Sequence, residues 1–191
     1  MQLLILTQGI KTQSCRKFVP KTKTVSLLST IAIIGVSEKR GFQVANQLAQ
    51  KYPILLFDQE TEQVLFLYDQ IRRNNPTASV DLMACATDAS WEADIIVVLG
   101  YCCTDVEIVE KIKRVSTGKI VILITADDKD AISKSLIENG QQLLPHSKIV
   151  RLITEATTLE NEIRIQSNDE DSRAKVSAVF SAVGFNIIGN E

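Results

Sequence analysis

Histidine and tryptophan occur once each in this 191-residue chain, as His146 and Trp91, and aromatic residues make up only 5% of it. A single histidine leaves little scope for hydrolase or transferase chemistry that sets a nucleophile beside an imidazole base. The four cysteines, Cys15, Cys85, Cys102 and Cys103, have neither the regular spacing of a disulfide framework nor the paired spacing of zinc ligands. A reduced, cytoplasmic compartment and no metal site are therefore expected. No apolar run approaches the roughly 20 residues needed to span a bilayer, so no membrane association is expected. A dense basic stripe is also missing: 21 Lys and Arg stand against 23 Asp and Glu, for a net charge of −2, which argues against a nucleic-acid partner. What is present is an ordinary globular composition, 45% hydrophobic, in a length that suits one domain with a sizeable core.

The first thirty residues differ from the rest. They hold five basic residues (Lys11, Arg16, Lys17, Lys21 and Lys23), no acid, and many Ser and Thr, leaving a net charge of −7 on the remainder. A secretory signal does not fit, because the apolar MQLLILT precedes the basic residues instead of following them. Residues 1–25 read as a loosely ordered extension. A presequence for organellar import, or an arm that adds a strand or meets a partner, remain open readings. Residues 26–191 read as one domain.

Within that domain apolar runs alternate with amphipathic stretches. Ile31–Gly35, Ile54–Phe57, Val80–Cys85, Ile95–Leu99, Lys119–Thr125, Ile149–Thr154, Glu162–Gln166 and Phe185–Ile188 read as strands. Helices are expected over Phe42–Gln50, Glu60–Arg73, Thr104–Val115, Lys129–Leu144 and Asp169–Ala182, and a short helix or a turn over Asp88–Ala93. The stripe of the second comprises Val64, Leu65, Leu67, Tyr68 and Ile71, and Trp91 is expected in the core, or else as a binding platform. Strands apolar at every position, separated by amphipathic helices, imply an α/β fold: a doubly wound, mainly parallel sheet of about eight strands with helices on both faces.

Thr30 to Asp58 is the informative stretch, reading as strand, glycine-bearing turn, helix and strand, with an acid at its end. In a nucleotide-binding βαβ unit such a turn points backbone N–H groups and a helix N-terminus at a pyrophosphate, and the acid holds the ribose. The turn is Gly35, Val36, Ser37, Glu38, Lys39, Arg40, Gly41. Against the pattern GxGxxG, Ser37 replaces the second glycine, and the third falls one place late, at Gly41. The Ser37 hydroxyl could donate to a phosphate, and Lys39 and Arg40 could add charge-assisted contacts; alternatively this is an ordinary turn with solvated charges. Asp58 lies 23 residues after Gly35. It would accept the ribose hydroxyls and repel a 2′-phosphate, favouring NAD over NADP, or else cap the following helix.

From Thr30 onward the chain resembles the single-domain NADP oxidoreductases of the coenzyme-deazaflavin-dependent type, within the 6-phosphogluconate dehydrogenase-like Rossmann proteins. The pieces that carry the resemblance are IAIIG with its turn, EADIIVVLG, GKIVILIT, QQLLPHSKIVRLIT and the tail IRIQSNDEDSRAKVSAVFSAVGFNIIG. The resemblance implies a Rossmann-like sheet, NAD or NADP as cofactor, and hydride transfer to a flavin or deazaflavin. It also implies a nicotinamide-side site after the fourth strand, at Leu99, Gly100 and Tyr101. Those residues stand where the family commonly has Val-Pro. Likewise Asp58-Gln59 replaces Ser-Arg, Ala126-Asp127 replaces Asn-Pro, and Ile153-Thr154 replaces Asn-Thr.

Larger relatives of that family add a helical domain, whereas the resemblance here ends with the eighth strand. A small-molecule redox partner is then expected in the open crevice beside the nicotinamide, or at the interface of a homodimer. Hydride transfer between stacked rings needs positioning more than an acid or base, so no catalytic residue is assigned. Tyr101 either stacks on the nicotinamide or covers the sheet end. Cys102 and Cys103 follow the fourth strand as small side chains under the next helix, or as thiols facing a reduced nicotinamide. His146 is expected on a surface loop, and Asp169, Glu170 and Asp171 at a helix N-terminus, where negative charge suits the dipole. Two further readings stay open: a non-catalytic nucleotide-binding or interaction module, suggested by the altered strand ends, and a CoA-binding Rossmann domain, whose Gly-Ala-Ser-x-x-x-Gly turn GVSEKRG also resembles.

Overall fold

Runs that are apolar at every position have no face to give to water, and in the computed structural model of the chain they lie side by side in one sheet. The structure describes residues 29–36, 39–99, 106–126, 140–154 and 161–188. In chain order these form β1 (Ile31–Ile34), α1 (Lys39–Leu48), β2 (Ile54–Phe57), α2 (Thr61–Asn74), β3 (Val80–Leu82), α3 (Ala86–Glu92) and β4 (Ile95–Leu99). There follow α4 (Val106–Lys113), β5 (Ile120–Ala126), α5 (Gly140–Leu143), β6 (Lys148–Thr154), β7 (Glu162–Gln166), α6 (Glu170–Ala182) and β8 (Asn186–Ile187). The expected N-terminal extension and the first part of the helix expected over Lys129–Leu144 lie outside the described residues.

The eight strands take the order β3-β2-β1-β4-β5-β6-β7-β8. All neighbours run parallel except β6 and β7, which are antiparallel. A parallel return needs a crossover of about a dozen residues or more, and the seven residues between Thr154 and Glu162 are too few. β1 sits between β2 and β4, with Ile31 level with both Ile54 and Ile95. The chain builds outward from β1 to β3, then returns to β4 and builds the other way. Between β1 and β4 the strand order reverses, and in open α/β sheets ligands bind at the carboxyl ends of the strands flanking such a point.

Alternate residues of each strand face opposite layers. On one face Val44 and Leu48 of α1, Val64, Leu67 and Ile71 of α2, and Val176 and Phe180 of α6 pack on Ile31, Ile33, Leu56, Val97, Leu152 and Ile165. On the other, Ala86 and Ala89 of α3 and Ile108 and Ile112 of α4 pack on Ala32, Ile34, Ile96, Val98 and Val121. α6 stops at Gly184, whose φ of +91° lets Phe185 fold back: its N–H reaches the Phe180 carbonyl at 3.1 Å, and the two rings lie 5.3 Å apart. No described helix is long and apolar enough to cross a membrane.

Three expectations are corrected. Trp91 is not in the core but 69% exposed. The buried side of the short α3 is made by Ala86, Ala89 and Ser90, which turns Trp91 outward. Lys119 Nζ lies 6.0 Å from the Trp91 ring centre and donates to the Ser90 and Trp91 carbonyls at 2.7 Å each, closing the end of α3. Partial burial holds the Lys119 pKa below the usual lysine value, opposed by the nearby Asp94 carboxylate. Leu65, expected in the buried stripe of α2, is 46% exposed. β3 ends at Leu82 instead of Cys85, because Cys85 serves as the N-cap of α3, its Sγ accepting from the Asp88 N–H at 3.4 Å.

Candidate nucleotide site

The crevice is built first by two glycines. Gly35 follows β1 with φ of +88°, a conformation that side chains resist, and its N–H extends the ladder to the Phe57 carbonyl at 3.1 Å. Gly41, in the first turn of α1, is buried against that same turn. A Cβ on Gly41 would lie 2.8 Å from Val36 Cα and 2.9 Å from the Gly35 carbonyl oxygen, which no side chain tolerates. The two glycines thus do what the outer glycines of a GxGxxG turn do, the first making the turn and the last allowing the helix close to it. The one-residue offset of Gly41 lengthens the turn without losing that approach. Val36 is buried, and Lys39 and Arg40 open α1. Ser37 and Glu38 lie outside the described residues.

Asp58 stands directly after β2, and the pairing of Ile34 with Phe57 places it level with Gly35. It is 5% exposed, and its Oδ1 accepts the Glu60 N–H at 2.9 Å. The N-cap of α2 is Glu60, which makes no side-chain capping bond. Asp58 therefore shapes the two-residue approach to α2 instead of capping the helix itself. Leu99 ends β4 and is buried in the α1 face of the core. Gly100, Tyr101, Cys102, Cys103 and Asp127 lie outside the described residues.

A cavity of about 430 Å³ opens at the end of β2, between Phe57 and Gln59 and the starts of α3 and α4. Phe57, Gln59, Cys85, Thr87, Ile108 and Lys111 are among its walls. The pattern of the turn does not mark Cys85, Thr87, Ile108 or Lys111, because three segments distant in sequence meet there only through the strand order. Among the described residues no group of three His, Cys, Asp or Glu side chains could hold a metal ion. His146 is exposed in the loop after α5, where its carbonyl accepts the Gly118 N–H at 2.7 Å near the opposite, amino-terminal end of β5. Asp169 precedes α6 and accepts from the Ser172 hydroxyl and, at 3.1 Å, from Lys148. The Ser172 bond first and Lys148 second hold its carboxyl below the ordinary value.

No family model and no curated protein sequence matches the chain. Solved structures do match it. A proposed F420-dependent NADP-reductase from Arthrobacter sp. FB24 aligns with a TM-score of 0.62 at 18% identity, over 84% of this chain and 83% of that one. An imine reductase from Myxococcus stipitatus in complex with NADP+ aligns with a TM-score of 0.62 at 17% identity, over 84% of this chain and 55% of that one. A variant of that reductase in complex with NAD+ gives 0.63 at 18%, over 84% and 54%. The chain thus spans little more than half the length of the imine reductases. At such identities the likeness is one of fold: the chain has the Rossmann-like fold that these reductases use.

Proposed function

We propose that the chain binds a nicotinamide dinucleotide and transfers hydride between NAD(P)H and a flat redox partner such as a flavin or deazaflavin. The observation that carries this reading is the close approach of Gly41 to the Gly35–Val36 turn, beside a buried carboxylate at Asp58. The close seat of α1 on this turn would aim the backbone N–H groups at the helix start toward a pyrophosphate, with the small Ser37 in place of the second glycine. Ser37, Glu38, Lys39 and Arg40 would line that approach. Asp58, whose own carboxylate is held by the Glu60 N–H, would accept the ribose hydroxyls and disfavour a 2′-phosphate, so NAD is preferred to NADP. The cavity at the end of β2 suits the adenine, with Phe57 and Ile108 as apolar walls. Leu99, Gly100 and Tyr101 would border the nicotinamide end. The bound dinucleotide supplies the hydride chemistry, and the chain supplies position. The name of the Arthrobacter neighbour, F420-dependent, supports a deazaflavin-like partner.

A second reading, binding without turnover, is favoured by the strand ends where Leu99-Gly100-Tyr101 and Ala126-Asp127 replace the residues common in the resembling family. A CoA-binding domain is the third. Titration with NADH, NADPH and CoA, followed by nicotinamide fluorescence and heat, separates them. Preferential NADH binding is expected, followed by turnover with a flavin or deazaflavin acceptor. Binding of CoA alone, or of none of the three, would overturn the proposal.

A further inference from the structure

α2 carries two stripes. At about 100° per residue, Val64, Leu67 and Ile71 face the sheet, and Glu62, Phe66, Asp69 and Arg73 share the opposite side. Phe66 is 60% exposed and its neighbour Leu65 46%, while Leu82 on the adjoining edge strand β3 is 38% exposed. Single exposed apolar residues are ordinary, but three large ones stand on one α2–β3 unit at the edge of the sheet, and among the described residues nothing covers them.

The charges on the same stripe say what fits there. α2 is acidic in its first turn, at Glu62, and basic in its last, at Arg72 and Arg73. Arg72 is engaged with the Ala78 carbonyl at 2.8 Å. Among the described residues neither Glu62 nor Arg73 forms an ion pair within the chain. We propose that the outer face of α2 is a self-association surface, occupied by α2 of a second copy running antiparallel across a two-fold axis. With the axis between Phe66 and Asp69, Glu62 of each copy meets Arg73 of the other, and Phe66 of each lies level with Asp69 of the other, the two rings flanking the centre. A parallel arrangement would set like charges together at both ends. A C2 interface must be complementary to itself, and the charged ends of this stripe are, whereas Asp69 at its centre meets no opposite charge. The helix has 14 residues, so it is only about 21 Å long. One such pair covers less than the roughly 800 Å² per partner of a standard interface, so the dimer is weak and concentration-dependent.

The inference does not involve the nucleotide crevice, so its failure would leave the NADH titration unaffected. Sedimentation equilibrium of the full chain, from low micromolar to submillimolar concentration, tests it. A monomer–dimer equilibrium is expected, weakened about tenfold or more by Phe66→Asp. Arg73→Glu should weaken it too, and adding Glu62→Arg to Arg73→Glu should restore it. Thermal melts of the variants should match the parent, since all three positions are exposed. A chain that stays monomeric throughout overturns the proposal and leaves the face to another occupant. A dimer indifferent to Phe66→Asp, or one that the double charge exchange fails to restore, overturns it equally.

Discussion

At the scale of single residues the site rests on positions whose constraint is steric. A methyl group at Gly41 would press on Val36 Cα and the Gly35 oxygen, both backbone atoms that cannot swing aside. Gly41→Ala is therefore expected to destabilise the fold by about 1–3 kcal/mol, measured by denaturant unfolding, and to weaken NADH binding as α1 moves off the turn. Asp58→Ala should weaken NADH binding by about 1–3 kcal/mol, the cost of leaving ribose hydroxyls unpaired. Unchanged affinity in isothermal titration would remove Asp58 from the site. Asp169 offers a test by pH. Its carboxyl is held below the ordinary value of 3.8, chiefly by the Ser172 hydroxyl and then by Lys148. A depressed folded-state pKa gives stability that is present above the ordinary value and lost as pH falls through the lower one. Asp169→Asn should accordingly melt below the parent at neutral pH, and the gap should close in acid. Gly35 and Asp58 could be found in the sequence because turn and strand end are local signals. The exposure of Trp91 could not, since it depends on which side of α3 meets the sheet.

At the scale of elements, periodicity finds helices more reliably than it finds their buried edge. Leu65 and Leu67 belong to the same apolar stripe of α2 by spacing, yet Leu65 is 46% exposed and Leu67 1%. Leu67→Ala is expected to cost about 2–5 kcal/mol, and Leu65→Ala well under about 1 kcal/mol, as for exposed positions. Chemical denaturation of the pair of variants measures the difference directly, and equal losses would contradict the orientation of α2. The same limit explains α3. The apolar run Leu82-Met83-Ala84-Cys85 suggests a longer β3, but the Cys85 thiol takes the Asp88 N–H and starts the helix two residues earlier than the sequence implies.

For the molecule as a whole, the proposed function depends on which strands are neighbours. The turn at Gly35, the carboxylate at Asp58 and the cavity walls from α3 and α4 converge because β2 and β4 flank β1. A ligand bound there stabilises only the folded sheet, so NADH at about one hundred times its dissociation constant should add about 2.7 kcal/mol to unfolding. That increment, read from denaturant or thermal melts, should shrink in Asp58→Ala at the same NADH concentration. CoA producing the increment where NADH does not would move the assignment to the CoA-binding reading.

The sequence by itself determined where strands and helices fall, the α/β class and the placing of Gly35 and Asp58 at strand ends. Each of these is written in a few consecutive residues, by runs with no polar face, by 3.6-residue spacing, or by a glycine that ends a strand. The tertiary structure alone decided that β7 turns back antiparallel, that Trp91 and Leu65 face outward, and that Cys85 and Ile108 share a cavity with Phe57. Those outcomes depend on which surfaces meet across the sheet. Burial there is settled by the packing of segments far apart in the chain, and local periodicity carries no record of it.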